Sequence, residues 1–306
     1  ALYCYYKKIT KTQFNYVLLM LLLPLIANMI YLFLYTPSVG EALMSGTNSN
    51  YATSGGYGPN QISTVMGMGA IILFTRFFLI KNKTINFIDI GLLALMSYRA
   101  IITFSRGGVL TAVICILAFV AVYFYKQDSK EQSKIVFKMG LFGIIGIMIW
   151  LFTAVKTEGL IVNRYTNRDA AGRLEDDITT GRAELIITEL QGFYYNPVIG
   201  IGVGKGKGMR SEMTGTATAS HNEISRLLSE HGLLGLVAIL ILILVPIIFW
   251  TKFKNNYYFL AFLAFWFLTI NHSAMRIALP GFVYGLALLY IVDDKKHPVH
   301  RKRFTD

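Results

Sequence analysis

Apolar residues are gathered into long runs along this chain, and short polar stretches separate the runs. A run of about 18 or more apolar residues is long enough to cross a hydrocarbon layer roughly 30 Å thick as an α-helix. The third and fourth runs are separated only by Ser105 and Arg106, which predicts a tight helical hairpin. The pattern predicts eight membrane segments, at approximately 14–35, 61–80, 85–104, 107–125, 135–154, 233–250, 257–271 and 277–292.

The composition supports the same class, an all-α integral membrane protein. Hydrophobic residues make up 54% of the chain and charged residues 15%, which is too apolar for an ordinary soluble domain. A net charge of +12 would favour nucleic-acid binding in a soluble protein. Here the lysines and arginines gather at alternate loop ends, as orientation in a membrane requires. We therefore expect a membrane as partner, and no nucleic acid.

The basic residues also predict which side of the membrane each loop occupies. They are concentrated before the first segment, after the second, fourth and sixth, and at the C-terminus, whereas residues 36–60 contain none. The positive-inside rule then makes both termini cytoplasmic. Because the chain begins with alanine rather than methionine, we expect further N-terminal helices to precede it. The predicted organisation is five membrane helices in 1–154, an extracytoplasmic loop in 155–232, three helices in 233–292 and a basic cytoplasmic tail in 293–306.

The outer turn of the predicted hairpin carries Ser105, Arg106, Gly107 and Gly108. An arginine at this depth can face an anionic lipid head, Ser105 can cap the following helix, and the glycines allow close approach of a backbone or a ligand. A purely structural interpretation explains the same residues: the guanidinium anchors a helix end, and the glycines allow helices to pack closely. Arg99 lies deeper in the preceding helix, where a charge needs a partner.

A second polar stretch, residues 180–184 with the sequence TGRAE, precedes apolar residues at helical spacing. The spacing predicts an amphipathic helix on the membrane surface, with Arg182 in its first turn and its end at Asn196-Pro197. A solvated helix residue is the simpler interpretation of Arg182 taken alone. Glycines then alternate through residues 200–208 around Lys205, and this run fits either a phosphate-binding loop or a mobile loop.

The third stretch, Ser220-His221-Asn222-Glu223, closes the large loop. A serine followed three residues later by glutamate predicts a capping box, and Gly232 predicts the end of the helix that it starts. His221 would then lie at a helix N-terminus, where the helix dipole keeps the imidazole neutral. A neutral histidine can accept a proton from a hydroxyl, although a polar residue in a cap explains His221 as well. Arg276 and His272, at the outer end of the last hairpin, can complete a polar rim.

Several common chemistries lack their motifs in this sequence. We find no HExxH, no CxxC pair and no GxSxG, which argues against zinc protease, thiol redox and serine hydrolase activity. Cys4 and Cys115 have neither metal-ligand spacing nor a disulfide framework. We therefore expect no metal and no other cofactor.

Taken together, the motifs resemble the O-antigen ligase-like family. That family includes lipopolysaccharide O-antigen ligases, O-antigen-type polysaccharide polymerases and related bacterial oligosaccharyltransferases. The likeness extends over residues 57–235. It rests on YGPNQ at 57–61, SRGG at 105–108, TGR at 180–182, NPVIGIGVG at 196–204 and SHNEISRLLSEHGLLG at 220–235.

The resemblance implies a polytopic helical bundle of the GT-C type in the bacterial cell membrane, with its active site in the large extracytoplasmic loop between the fifth and sixth segments. It also implies an undecaprenyl-diphosphate-linked glycan as donor and a lipid, glycan or protein as acceptor. By position, Arg106 and Arg182 correspond to arginines that bind the diphosphate, and His221 to the catalytic histidine. The remaining candidates, expected to support the site, are Arg99, Asn222, Lys205 and Arg276.

Two other function classes stay open at this point. A transporter or flippase of the same lipid-linked glycan would use the arginines only to guide the diphosphate. It would need comparable sites on both faces of the membrane, whereas the polar candidates here lie on one. A non-catalytic membrane scaffold leaves the three motifs at the rim of the bilayer unexplained.

Overall fold

The computed structural model describes residues 1–37, 46–177, 179, 181–215, 218–253 and 255–294. Thr180 and most of the predicted basic tail lie outside these residues. The described chain is mostly helical, and its helices are α1 Lys11–Tyr35, α2 Pro59–Leu79, α3 Lys83–Ile102, α4 Arg106–Tyr125, α5 Ser129–Lys156, α6 Leu160–Tyr165, α7 Arg182–Tyr195, α8 Gly206–Thr214, α9 Glu223–Ile248, α10 Phe259–His272 and α11 Leu279–Ala287. Short 3₁₀ turns lie at Ala52–Ser54 and Trp250–Phe253, and two strands, β1 Lys8–Thr10 and β2 Tyr290–Val292, complete the described structure.

Among the described residues, six helices are long and apolar enough to cross a membrane. They are α1, α2, α3, α4, α5 and α9, and they make this a polytopic helical membrane protein. The last two predicted segments differ from expectation. The seventh is the 14-residue helix α10, and the eighth is the nine-residue helix α11 followed by β2. Apolar composition alone does not distinguish a full span from a shorter helix with an extended end.

Local sequence sets where several of these helices begin. Thr10 accepts a hydrogen bond from the Gln13 backbone N–H, and the Gln13 side chain accepts one from the Thr10 N–H, which completes a capping box for α1. Asn82 and Asp128 cap α3 and α5 through their side-chain oxygens. Pro59 occupies the first turn of α2, where its missing N–H leaves no hydrogen bond unmade.

The centre of the bundle is α2, the most buried of the six spans. It packs against α1, α3 and α4, while α4 also packs against α10 and α10 against α11. In contrast, α5 is the most exposed span, and apolar side chains such as Ile147 and Leu151 point outward from it. An apolar outer surface of this kind is stable where lipid, not water, surrounds the helices.

The two short strands bring the ends of the described chain together. Ile9 of β1 pairs with Ile291 of β2 in a parallel register. The start of α1 and the residues after α11 therefore lie at the same end of the bundle. This arrangement agrees with termini on one side of the membrane, while which side they face stays a prediction.

Candidate functional site

Two adjoining cavities open where α2, α4 and α7 begin. The first has a volume of about 320 Å³ and is lined by residues that include Arg106, Arg164 and Arg182. The second has a volume of about 450 Å³, and its lining includes Arg164, Arg182, His221 and Arg276. Ser49, Arg164 and Arg182 line both. The structure thus brings Arg106, Arg182 and His221 around one continuous polar region.

The Ser105–Gly108 turn is held by hydrogen bonds to α2. Ser105 donates from its hydroxyl to Asn60 Oδ1 over 2.7 Å, and its carbonyl accepts from the Ser63 hydroxyl over 3.2 Å. Ser105 precedes α4 but makes no side-chain capping hydrogen bond, so its predicted capping role is wrong. The outcome is a fixed turn that presents Arg106, the first residue of α4, to the first cavity.

The two glycines of this turn serve helix packing. A β-carbon at Gly107 would clash with the ring of His272, and one at Gly108 would clash with the side chain and backbone of Ser63. Glycine therefore lets α4 lie directly against α10 and α2. His272 is held in turn by Thr64, whose hydroxyl lies 3.2 Å from His272 Nε2.

Arg164 is a site residue that the sequence analysis did not identify. It lies near the end of α6, is 6% exposed, and donates from Nε to the carbonyl of Phe104 over 3.2 Å. Its own carbonyl accepts a hydrogen bond from Arg106 Nη1 over 3.4 Å. The sequence did contain a signal for Arg164, which is an arginine within a short apolar stretch directly after the fifth span. A charge in such a position needs a function or a partner.

The site is strongly cationic. Burial lowers the pKa of Arg182, and the nearby charges of Arg106 and Arg276 lower it further. Burial and the charge of Arg106 likewise lower the pKa of Arg164. An arginine remains protonated despite such shifts. Glu184, which is exposed, is the only carboxylate among the described lining residues. Clustered guanidinium groups of this kind favour a multiply charged anion.

His221 lies one residue before the helix cap. The cap is Asn222, whose side-chain oxygen accepts from the backbone N–H groups of Ile224 and Ser225, at 2.9 and 3.1 Å. The predicted capping box of Ser220 and Glu223 is therefore wrong, because the helix begins at Glu223 with Asn222 as its cap and Ser220 lies two residues before that cap. Glu223 instead accepts a hydrogen bond from the Met275 N–H over 3.2 Å.

The imidazole of His221 is neutral in this setting. Burial lowers its pKa to about 4, and the guanidinium charges of Arg276 and Arg182 act in the same direction. Nδ1 of His221 is buried and has no hydrogen-bond partner within the part of the chain that the structure describes. The ring therefore combines a neutral state with an unused nitrogen, which is the condition for accepting a proton from a bound hydroxyl.

Two of the predicted supporting residues hold His221 in place. Asn222 donates from Nδ2 to Asn271 Oδ1 over 2.9 Å, which ties the start of α9 to the end of α10. Arg276 donates to the carbonyl oxygen of Ser220 over 2.7 Å and lines the second cavity. Both contacts fix the backbone on either side of the imidazole.

Arg99 and Lys205 lie apart from the two cavities. Arg99 is buried, donates to the carbonyl of Leu32 and the hydroxyl of Thr36, and has its guanidinium 4.7 Å from the Phe33 ring centre. It thereby satisfies the Leu32 carbonyl near the C-terminus of α1, a structural role. Lys205 is exposed and immediately precedes α8.

The glycine run after α7 docks against the break in α9. Gly232 interrupts α9 with a φ of 59°, and the N–H of Leu233 donates to the carbonyl of Pro197 over 2.8 Å. A β-carbon at Gly200 or Gly232 would overlap the facing backbone. These glycines permit close contact between two chain segments. Gly200 thus serves the packing of this segment on α9, while the choice between a phosphate-binding loop and a mobile loop around Lys205 stays a prediction.

A buried ion pair joins the helices of the outer region. Arg210 of α8 lies 2.6 Å from Glu189 of α7, and the two side chains are 3% and 1% exposed. Ser225 of α9 donates to the other Glu189 oxygen over 2.5 Å, and Arg210 also donates to the carbonyl of Thr218, three residues before His221. The pair therefore links the helix that begins at Arg182 to the segment that carries His221.

Replacement of Glu189 by alanine is expected to lower the free energy of unfolding by about 3–5 kcal/mol, because it leaves the Arg210 charge buried without its partner. Denaturant unfolding of the purified protein in detergent measures this change. Glu131→Ala is the control, since its pair with Lys134 is exposed and its removal is expected to leave the stability nearly unchanged. Equal effects of the two substitutions would contradict a structural role for the buried pair.

Residues 91–240 match the family model described as O-antigen ligase. Neither the curated proteins nor the solved structures compared with the chain gave a match. The family match confirms the resemblance predicted from the motifs, and it contains Arg106, Arg164, Arg182 and His221. Among the described residues, no group of three His, Cys, Asp or Glu side chains is placed to hold a metal ion.

Proposed function

We propose that this O-antigen ligase-like membrane protein transfers a glycan from an undecaprenyl-diphosphate-linked donor to an acceptor hydroxyl. The observation that carries the proposal is the cluster of buried or half-buried arginines beside a neutral histidine, in cavities at one end of the membrane helices. A diphosphate attached to a membrane lipid reaches such a site from the bilayer. The lysine distribution supports an extracytoplasmic site in the bacterial cell membrane.

In this proposal Arg106, Arg164 and Arg182 bind the diphosphate. Guanidinium groups form bidentate hydrogen bonds with phosphate oxygens and stay charged when buried. The guanidinium groups repel one another, and binding of the anion relieves this repulsion. They also stabilise the additional negative charge that develops on the leaving group as the glycosidic bond breaks.

His221 acts as the general base. The acceptor oxygen attacks the anomeric carbon, its proton moves to the imidazole, and the electron pair of the breaking carbon–oxygen bond leaves with undecaprenyl diphosphate. Attack occurs on the face opposite the leaving group, so the configuration at the anomeric carbon is inverted. The diphosphate is already a good leaving group, and transfer therefore needs no nucleotide.

Reconstitution in liposomes with a lipid-linked oligosaccharide and candidate acceptors tests the proposal. New glycosidic bonds with inverted configuration are expected. Movement of the donor between leaflets without bond formation would instead identify a flippase. Whether a lipid, a glycan or a protein accepts the sugar is read from the same products, and this distinguishes a ligase, a polymerase and a protein oligosaccharyltransferase.

The pH dependence of transfer is expected to reflect the lowered pKa of His221. A base must be unprotonated, and a pKa of about 4 leaves His221 neutral throughout the range from pH 5.5 to 8. We expect kcat/KM to stay level across that range and to fall only at lower pH. The negative charge of bound diphosphate raises the pKa of the imidazole, so the fall in kcat should begin at a higher pH than the fall in kcat/KM. Rates in buffered proteoliposomes measure both, and a fall in kcat/KM centred near pH 6.5 would contradict the assignment.

A further inference from the structure

A third cavity lies at the opposite end of the bundle from the arginine site. The arginine site includes the first turns of α2 and α4, whereas this cavity is lined by Phe78 and Leu79 at the end of α2 and by Tyr123 and Gln127 at the end of α4. Since α2 has 21 residues, the two sites are separated by about 30 Å along the helix. The proposed transfer reaction does not use this cavity, and of its lining residues only Tyr123 and Gln127 lie within the family match.

Packed aromatic rings form the inner wall of the third cavity. The Tyr258 ring lies 5.3 Å from that of Phe14 and 5.0 Å from that of Phe119, and its hydroxyl donates to Thr75 over 2.8 Å. Asn256, beside it, donates to the carbonyls of Leu286 and Ala287, which fixes the chain before α10. The wall is therefore preformed, with its hydrogen-bonding groups already paired.

The mouth of the cavity is cationic. Lys11 and Lys81 line it, together with the uncharged polar side chains of Asn15, Gln127 and Asn255. The ammonium groups of Lys126 and Lys11 lie 4.7 and 5.9 Å from the centre of the Tyr257 ring, which is also part of the lining. Two carboxylates oppose this charge, Asp293, which pairs with Lys11 over 2.5 Å, and Asp294 near it.

We propose that this cavity binds the phosphate headgroup of an anionic phospholipid from the leaflet on the lysine-rich side of the membrane. Its volume, about 320 Å³, lies at the lower end of the range of about 300–1,000 Å³ for small-ligand sites and suits a headgroup. Lysine ammonium groups neutralise the phosphate, the amides accept and donate hydrogen bonds, and the aromatic wall contacts the upper part of the acyl chains. Basic pockets between membrane helices on the cytoplasmic side bind anionic headgroups in this manner.

Native mass spectrometry of the full chain in detergent, titrated with phosphatidylglycerol, tests this assignment. The wild-type protein is expected to retain phosphatidylglycerol in preference to phosphatidylcholine with the same acyl chains. Lys81→Gln is expected to weaken phosphatidylglycerol binding by roughly fivefold, the effect of one lysine near an anionic membrane surface. Lys83→Gln is the matched control, because Lys83 is exposed two residues away and does not line the cavity.

The comparison separates a specific site from diffuse attraction. Equal weakening by the two lysine substitutions would overturn the proposal, as would equal retention of phosphatidylcholine by the wild-type protein. Displacement of phosphatidylglycerol by inorganic phosphate at the same concentration would show that the site recognises the free anion and would overturn the lipid assignment. None of these measurements depends on glycan transfer.

Discussion

Replacement of His221 by alanine is expected to lower the rate of glycan transfer by about 10²–10⁴-fold, the usual contribution of a general base. Donor affinity should change little, because the guanidinium groups that bind the diphosphate are retained. His221→Ala also removes Nδ1, a buried nitrogen that has no partner in the described chain, and the Ala219 carbonyl beside the ring still accepts a hydrogen bond from Arg276. Transfer and donor binding are measured separately, in liposomes and by titration with a lipid-linked oligosaccharide.

His231→Ala is the matched control for this experiment. His231 lies within α9, the helix that follows His221, but lines neither of the two cavities. The control should transfer at the wild-type rate. Full transfer by His221→Ala would remove His221 from the mechanism, and loss of donor binding would make it a binding residue instead.

The sequence predicted most of the fold because the bilayer imposes a simple pattern. Long apolar runs account for the six spans, and the spacing of apolar residues after Arg182 correctly predicted α7 and its end at Asn196. The shortened α11 was not predictable, because apolar residues suit a membrane helix and a buried strand equally. The cap at Asn222 was also missed, since Ser220 and Asn222 are both good capping residues and only the tertiary structure decides between them.

Only part of the site was predictable, because some of its residues occur in sequence motifs and others depend on the tertiary structure. Arg106, Arg182 and His221 occur in recognisable motifs, and the structure places all three at adjoining cavities. Arg99 resembles them in sequence but packs against the end of α1, because a buried charge can be satisfied by carbonyl groups as well as by a ligand. Arg164 lacks a motif, and its role depends on the position of α6 beside Phe104.

The cavities also depend on chain segments that the family match does not include. Ser49 precedes the matched region, while Asn271 and Arg276 follow it. Asn271 receives a hydrogen bond from Asn222, so α10 helps to orient the segment that carries His221. The matched residues supply Arg106, Arg164, Arg182 and His221, and the flanking residues, Arg276 among them, complete the walls around these groups.

Replacement of Arg182 by alanine is expected to lower kcat/KM for transfer by about 10²–10³-fold, the effect of removing one group that stabilises transition-state charge. The same substitution should not lower the thermal unfolding midpoint. The Arg182 guanidinium makes no hydrogen bond or ion pair within the described chain, and burial and the charges of Arg106 and Arg276 lower its pKa. Without a bound anion this charge is thus unfavourable for folding, as expected of a group kept for binding.

Binding of the lipid diphosphate should turn the unfavourable contribution of the Arg182 charge to stability into a favourable one. Undecaprenyl diphosphate is expected to raise the unfolding midpoint of the wild-type protein, since a ligand that binds only the folded state stabilises it, and to raise that of Arg182→Ala much less. Arg173→Ala is the control: Arg173 is 80% exposed, pairs with Asp169 in the same outer region, and should leave transfer and the ligand-induced shift unchanged. An Arg182→Ala protein that unfolds at a lower temperature and yet responds fully to the diphosphate would show that Arg182 stabilises the fold and does not bind the donor.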